Sequence, residues 1–153
     1  MTSEWRAASV DETDLAAIAA RLAPAAGEGG VIYLEGDLGA GKTTFARALL
    51  TAMRVGERIK SPTYSLIESY RIGDRDVHHL DLYRIADAGE LEWLGLADLW
   101  TTGSLVLIEW PERGAGALPK PDLVVRIGHA GAVRDLVFES KSERGSCFLD
   151  ALR

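Results

Sequence analysis

The stretch "LEGDLGAGKTTFARALL", Leu34 to Leu50, constrains the fold of this 153-residue chain more than any other segment. Gly36, Gly41, Lys42 and Thr43 satisfy the G-x-x-x-x-G-K-[ST] pattern, with Gly39 as a third glycine inside it. The pattern has chemical meaning only between a strand and a helix. "VIYLE", Val31 to Glu35, reads as a buried strand running into the loop, and Lys42 to Met53 reads as a helix with Phe45, Leu49 and Leu50 on one side. Glycines let successive backbone N–H groups curl toward an anion, and the positive N-terminal end of the following helix adds to the attraction. The segment is expected to bind nucleotide phosphates. Lys42 would reach the β- and γ-phosphates and the Thr43 hydroxyl would ligate Mg²⁺, while Thr44 has no required role.

The rest of the chain reads as alternating elements around that unit. Ser9 and Glu12 have capping-box spacing, and Leu15, Ile18 and Leu22 follow at helical intervals until Pro24 interrupts them. "KSPTYSLIESYRI" places an extended Ser61 before its proline and a strand from Tyr64 to Tyr70. "DVHHLDLYRI" alternates as a strand with His79, Asp81 and Tyr83 on one face and Leu80 and Leu82 on the other. Asp87 and Glu90 form a capping-type pair before "LEWLGLADLW", a predicted helix. "SLVLIEWPER" is an apolar strand ending in acid, and "DLVVRIGH" and "VRDLVFES" form a predicted hairpin through "AGA". One domain spanning residues 1–153 is expected, with an α/β fold in three layers around a mostly parallel sheet with antiparallel additions.

A phosphate loop of this kind needs a carboxylate for Mg²⁺ on a neighbouring strand, and two candidates stand out, Asp81 and Glu109. Four apolar residues from Leu105 to Ile108 bring Glu109 to the C-terminal end of a buried strand, where α/β ligands bind, so it is the better positional match. Asp81 reads equally as a strand-end carboxylate paired with Arg84 or capping a turn. The two need not compete. "SPTYS" offers Ser61, Thr63 and Ser65 to the γ-phosphate, or a hydroxyl-rich turn. Trp110 packs over the site or into the core, and Arg84 and Arg113 supply charge at the phosphate or make surface ion pairs. His78 and His79 suggest zinc, but three histidines and one cysteine in the chain favour a strand role.

Several classes are disfavoured. The chain contains no Asn and no Gln, which removes an N-K-x-D guanine reader and a water-orienting glutamine of the Ras type. Water positioning then falls to a carboxylate or a hydroxyl. With 17 basic and 23 acidic residues the net charge is −6, opposing nonspecific attraction to nucleic acid. Cys147 is alone and cannot form an intrachain disulfide. No apolar run approaches the roughly 18 residues of a membrane span, and the N-terminus lacks signal-peptide regions, so a cytoplasmic location is expected.

"GDLGAGKTT", "SPTYSL", "HLDLYR" and "LIEWPER", in this order and at these separations, together resemble the TsaE (YjeE) family of small bacterial ATPases in tRNA threonylcarbamoyladenosine synthesis. The resemblance covers Tyr33 to Arg113. It implies ATP and Mg²⁺ as cofactors, slow partner-coupled hydrolysis, and association with a TsaB–TsaD pair that modifies adenosine 37 and itself contacts the tRNA. Carried onto this chain, it gives a nucleotide loop of Gly36, Asp37, Leu38, Gly39, Ala40, Gly41, Lys42, Thr43 and Thr44. Ser61 and Thr63 fall in a switch-like loop, Asp81 and Glu109 take metal and catalytic positions, and Trp110 belongs to the site. The rivals are a small-molecule kinase on the same loop, which needs an Arg-bearing lid not found in the sequence, and a nucleotide-gated binding module with negligible turnover.

Overall fold

The computed structural model describes residues 3–56, 66–93, 101 and 103–153. The strand that feeds the glycine loop, β2 (Gly30–Glu35), lies in the middle of a seven-stranded sheet formed by the described residues. It pairs in parallel with β5 (Leu105–Glu109) on one side and β6 (Leu123–Ala130) on the other, and β5 pairs in parallel with β4 (Arg75–Asp81). Antiparallel strands complete both edges. β3 (Ile67–Ile72) runs against β4, while β7 (Val133–Ser140) runs against β6 and carries β1 (Glu4–Val10) outside it. The order is β1-β7-β6-β2-β5-β4-β3, with only β3 and β7 opposed to the common direction. The expected mostly parallel α/β sheet with antiparallel members is the fold found.

Cover on both faces explains why β5 is buried at every position, as its unbroken apolar run requires. On one face α1 (Glu12–Ala26), α2 (Lys42–Ala52) and α4 (Glu143–Leu152) bury Leu22, Phe45, Leu49 and Phe148 over Ile32, Leu34, Leu107 and Val125. On the other, Val106, Ile108 and Leu80 lie beneath Leu82, Ile85, Leu118 and Leu91 of α3 (Gly89–Trp93). Three layers result. Among the described residues no helix is long and apolar enough to cross a membrane.

The N-terminal segment departs from the sequence reading. The cap of α1 is Asp11, which accepts from Asp14 N at 2.7 Å while Asp14 accepts from Asp11 N at 3.3 Å. Ser9 lies instead in β1 at φ 56, and its N–H donates to Asp135 Oδ1 at 3.0 Å. Two aspartates three apart satisfy the same reciprocal geometry as the expected serine–glutamate pair. Pro24 is inside α1, which runs on to Ala26. Arg144 of α4 donates to Ala25 O and, at 2.7 Å, to Gly29 O, satisfying carbonyls near that helix end.

Neither β1 nor α4 was anticipated. β1 is an edge strand whose Trp5 meets Phe138 edge to face, with ring centroids 5.5 Å apart, so it is held by a partner distant in sequence. The strand expected over Tyr64–Tyr70 is β3, and Tyr64 and Ser65 lie outside the described residues, as does the predicted helix beyond Trp93 up to residue 100. The hairpin of β6 and β7 closes through Gly131 at φ 70, a left-handed conformation that glycine adopts without a Cβ penalty.

Candidate functional site

Parallel pairing brings the C-terminal ends of β2, β5 and β4 to one edge of the sheet, where ligands of α/β folds sit. Asp81 and Glu109 are register partners on β4 and β5, and Glu109 is also the partner of Leu34 on β2, just before the glycine loop. The two carboxylates singled out from sequence therefore lie side by side next to the loop. They do so in different surroundings. Glu109 is 2% exposed, whereas Asp81 is exposed and its Oδ1 accepts from Tyr83 N at 3.1 Å, the turn-capping role that sequence allowed.

The loop conformation explains its glycines. Gly36 has φ 153, and a Cβ there would lie 2.4 Å from the Ile127 carbonyl oxygen, so β6 leaves no room for a side chain. Gly41, at φ 112, is the N-cap residue of α2, and no side chain caps that helix or places an acid in its first turn. The amide groups at the helix start are thus left to an outside acceptor. Arg134 of β7 donates from Nε to Ala40 O at 2.6 Å and braces the loop from outside.

Lys42 is buried, and its ammonium donates to Gly36 O at 2.5 Å and Asp37 O at 3.0 Å while lying 3.9 Å from the centroid of the Trp110 ring. Burial pulls its pKa below the ordinary lysine value, against the opposing pull of Glu109, Glu112, Asp81 and Asp37. One residue on, the Thr43 hydroxyl lies 2.8 and 2.9 Å from the two Glu109 oxygens, and His79 Nε2 lies 2.6 Å from Oε2. Leu38, Lys42, Thr43, Asp81, Glu109 and Trp110 are among the residues lining an open cavity of about 220 Å³. A second recess of about 100 Å³ shares Gly41 and Thr44 with it and is bounded by Val10, Asp11, Leu15 and Arg134.

The rim is aromatic. Trp110, itself in the left-handed region at φ 58, lies 5.2 Å from Tyr83, and the Arg113 guanidinium faces both rings at 5.5 and 5.6 Å. Arg113 is thus engaged with the rim and with Ile85 O. Ser61 and Thr63 lie outside the described residues.

Sequence reasoning missed the parts played here by His79 and Arg134. The alternation of β4 already put His79 on the Asp81 face, and that was the available signal; nothing local marked Arg134. Among the described residues no group of three or more His, Cys, Asp or Glu could hold a metal. The donor set at the loop, the Thr43 hydroxyl with the Glu109 and Asp81 carboxylates, is oxygen only. Such donors fit a hard cation that takes one or two protein ligands and completes its shell with phosphates and water, as Mg²⁺ does.

Comparisons with known proteins bear on family and fold. A family model described as "Threonylcarbamoyl adenosine biosynthesis protein TsaE" matches residues 9–136. The chain is 42% identical to the tRNA threonylcarbamoyladenosine biosynthesis protein TsaE of Haemophilus influenzae, over 79% of this chain and 77% of that one. It is 36% identical to the protein of the same name from Bacillus subtilis, over 92% of this chain and 87% of the relative. The crystal structure of Bacillus subtilis YdiB superposes with a TM-score of 0.76 at 30% identity, covering 99% of this chain and 94% of that one.

Proposed function

The chain belongs to the TsaE family, and on that premise we propose that it is an Mg²⁺-dependent ATPase supporting a TsaB–TsaD pair in threonylcarbamoyladenosine modification of tRNA. The observation that carries the ATPase reading is the Thr43–Glu109 contact at the uncapped start of α2. It joins the loop hydroxyl to a carboxylate at the adjacent strand end, the pairing that Mg²⁺-nucleotide chemistry requires.

In this reading the amides of Gly36 to Thr44 hold the phosphates, and Lys42 leaves its loop carbonyls and the Trp110 ring to pair with the β- and γ-phosphates. Thr43 and Glu109 would hold Mg²⁺, which would supply positive charge against the transferred phosphoryl group. Asp81, exposed beside Glu109, assists the metal or orients the attacking water, a role no glutamine is present to fill. The nucleoside end crosses Gly41 and Thr44 into the second recess, against Arg134. Trp110 and Tyr83 form the outer wall.

Slow hydrolysis without a partner is what the family resemblance implies. The net charge of −6 supports tRNA being held mainly by partner subunits. The test is phosphate release from Mg·ATP by the protein alone and with a TsaB–TsaD pair from the same source. Stimulation by the pair is expected. If the pair altered neither turnover nor nucleotide affinity, the partner-coupled ATPase would be wrong, and a phosphorylated small-molecule acceptor would be sought instead.

A further inference from the structure

We propose that His79 is a positioning residue that sets which oxygen of Glu109 faces the metal, an inference that rests on the Mg²⁺-nucleotide reading above. His79 and Glu109 are 4% and 2% exposed, and a carboxylate so removed from water is stable only if protein donors replace its hydration. Among the described residues two groups do so. Thr43 Oγ1 lies 2.8 Å from Oε1 and 2.9 Å from Oε2, and His79 Nε2 lies 2.6 Å from Oε2.

The two oxygens are therefore unequal. Among the described residues Oε2 has both Thr43 and His79 against it, whereas Oε1 has Thr43 alone and keeps acceptor capacity. In the Mg²⁺-nucleotide reading the Thr43 hydroxyl must also offer a lone pair to the cation. His79 need not. It stands on β4 opposite Leu107, two positions back from the Asp81–Glu109 pair and on the face that packs toward α2, so sheet pairing holds it in place.

What His79 prevents is the competing use of Glu109. Of the carboxylates that act on the Lys42 ammonium, Glu109 acts most. A carboxylate released from His79 would turn toward that positive charge and away from the metal, while Lys42 keeps its place at the phosphates. Partners of a metal-binding carboxylate commonly contribute about 10–100-fold to metal affinity in this way.

The test compares ADP affinity with Mg²⁺ and with EDTA, by calorimetry, for the wild-type protein, His79→Leu and His79→Gln. His79→Leu should lose about tenfold or more of the Mg²⁺-dependent gain, with affinity in EDTA within about twofold of wild type. His79→Gln, whose amide can donate across the same gap, should recover most of the gain. An unchanged Mg²⁺ gain in His79→Leu, an equal loss with and without Mg²⁺, or failure of glutamine to rescue would each overturn the proposal. Wild-type protein that binds no ADP in either condition would remove the nucleotide reading itself. A measurement free of folding defects is the ¹⁵N spectrum of the wild-type imidazole: an Nε2-bound proton that persists on adding Mg·ADP is expected, and an unprotonated Nε2 in that complex would refute the assignment.

Discussion

Thr43 and Glu109, 66 positions apart, meet through one hydroxyl that lies 2.8 Å from one carboxylate oxygen and 2.9 Å from the other. The contact joins the first turn of α2 to the end of β5 and so ties the phosphate loop to the strand that bears the acid. Loop and acid should therefore respond together to a change at either residue.

On the proposed function, Glu109→Ala should lower ATP turnover by about 10²–10³-fold while changing metal-free ADP affinity little, because the carboxylate would serve the metal rather than the loop amides. It should also cost about 1–3 kcal/mol of stability, since Thr43 and the buried His79 lose their shared acceptor. Steady-state phosphate release and urea unfolding check the two halves. Normal turnover in this variant would remove Glu109 from its assigned role.

Lys42→Ala should abolish productive ATP binding, because the amides alone leave the β- and γ-phosphate charge without its counter-ion. Filter binding of ATP in Mg²⁺ reads this directly. Wild-type affinity in the variant would contradict the placement of Lys42 at the phosphates.

The loop glycines should differ sharply. Gly36→Ala places a Cβ 2.4 Å from Ile127 O on a backbone at φ 153, so the loop must move, at a cost of about 1–3 kcal/mol and with loss of ADP binding. Gly39→Ala, at φ 80 with nothing within 4 Å, meets only the left-handed penalty of about 1–2 kcal/mol and should keep binding. Melting curves with and without ADP separate the two variants, and equal behaviour would mean that the β6 contact does not shape the loop.

Arg134→Ala removes the 2.6 Å donation to Ala40 O and one wall of the second recess. ADP affinity should fall by about tenfold, the worth of one hydrogen bond to a charged donor. Arg134→Lys should not restore it, because a lysine cannot reproduce the Nε donor fork. Restoration by lysine would show that charge alone is needed there.

A pH dependence follows from His78. Its buried imidazole, with Nδ1 2.8 Å from Ser69 Oγ, is held below the ordinary histidine pKa chiefly by burial, against the raising effect of Asp76. The unfolded chain takes up a proton below about pH 6.5 while the folded protein does not. Stability from this group is therefore full above about pH 6.5 and falls with acidification, by at most about 1.4 kcal/mol per pH unit, until the folded imidazole is itself protonated. Urea unfolding between pH 7 and 5 should show a steeper decline in wild type than in a Ser69→Ala, His78→Leu double variant. Equal slopes would assign the decline to other groups.

The sequence by itself determined the parts whose physics is local. A glycine loop between an apolar strand and an amphipathic helix, an apolar run ending at Glu109, and the alternation that puts His79 and Asp81 on one face all follow from periodicity and steric need over a few residues. The three-layer α/β sheet follows from the order of those elements, and the motif order pointed to the family. Tertiary structure alone decided what depends on crossovers between distant strands: that Asp81 and Glu109 are register partners, that His79 reaches Oε2, and that Arg134 braces Ala40 from 94 positions away. The edge strand β1 was hidden for the same reason, because its order comes from pairing with β7 rather than from its own pattern. Local sequence sets which face a side chain takes, but the partner on that face is chosen by the chain's path.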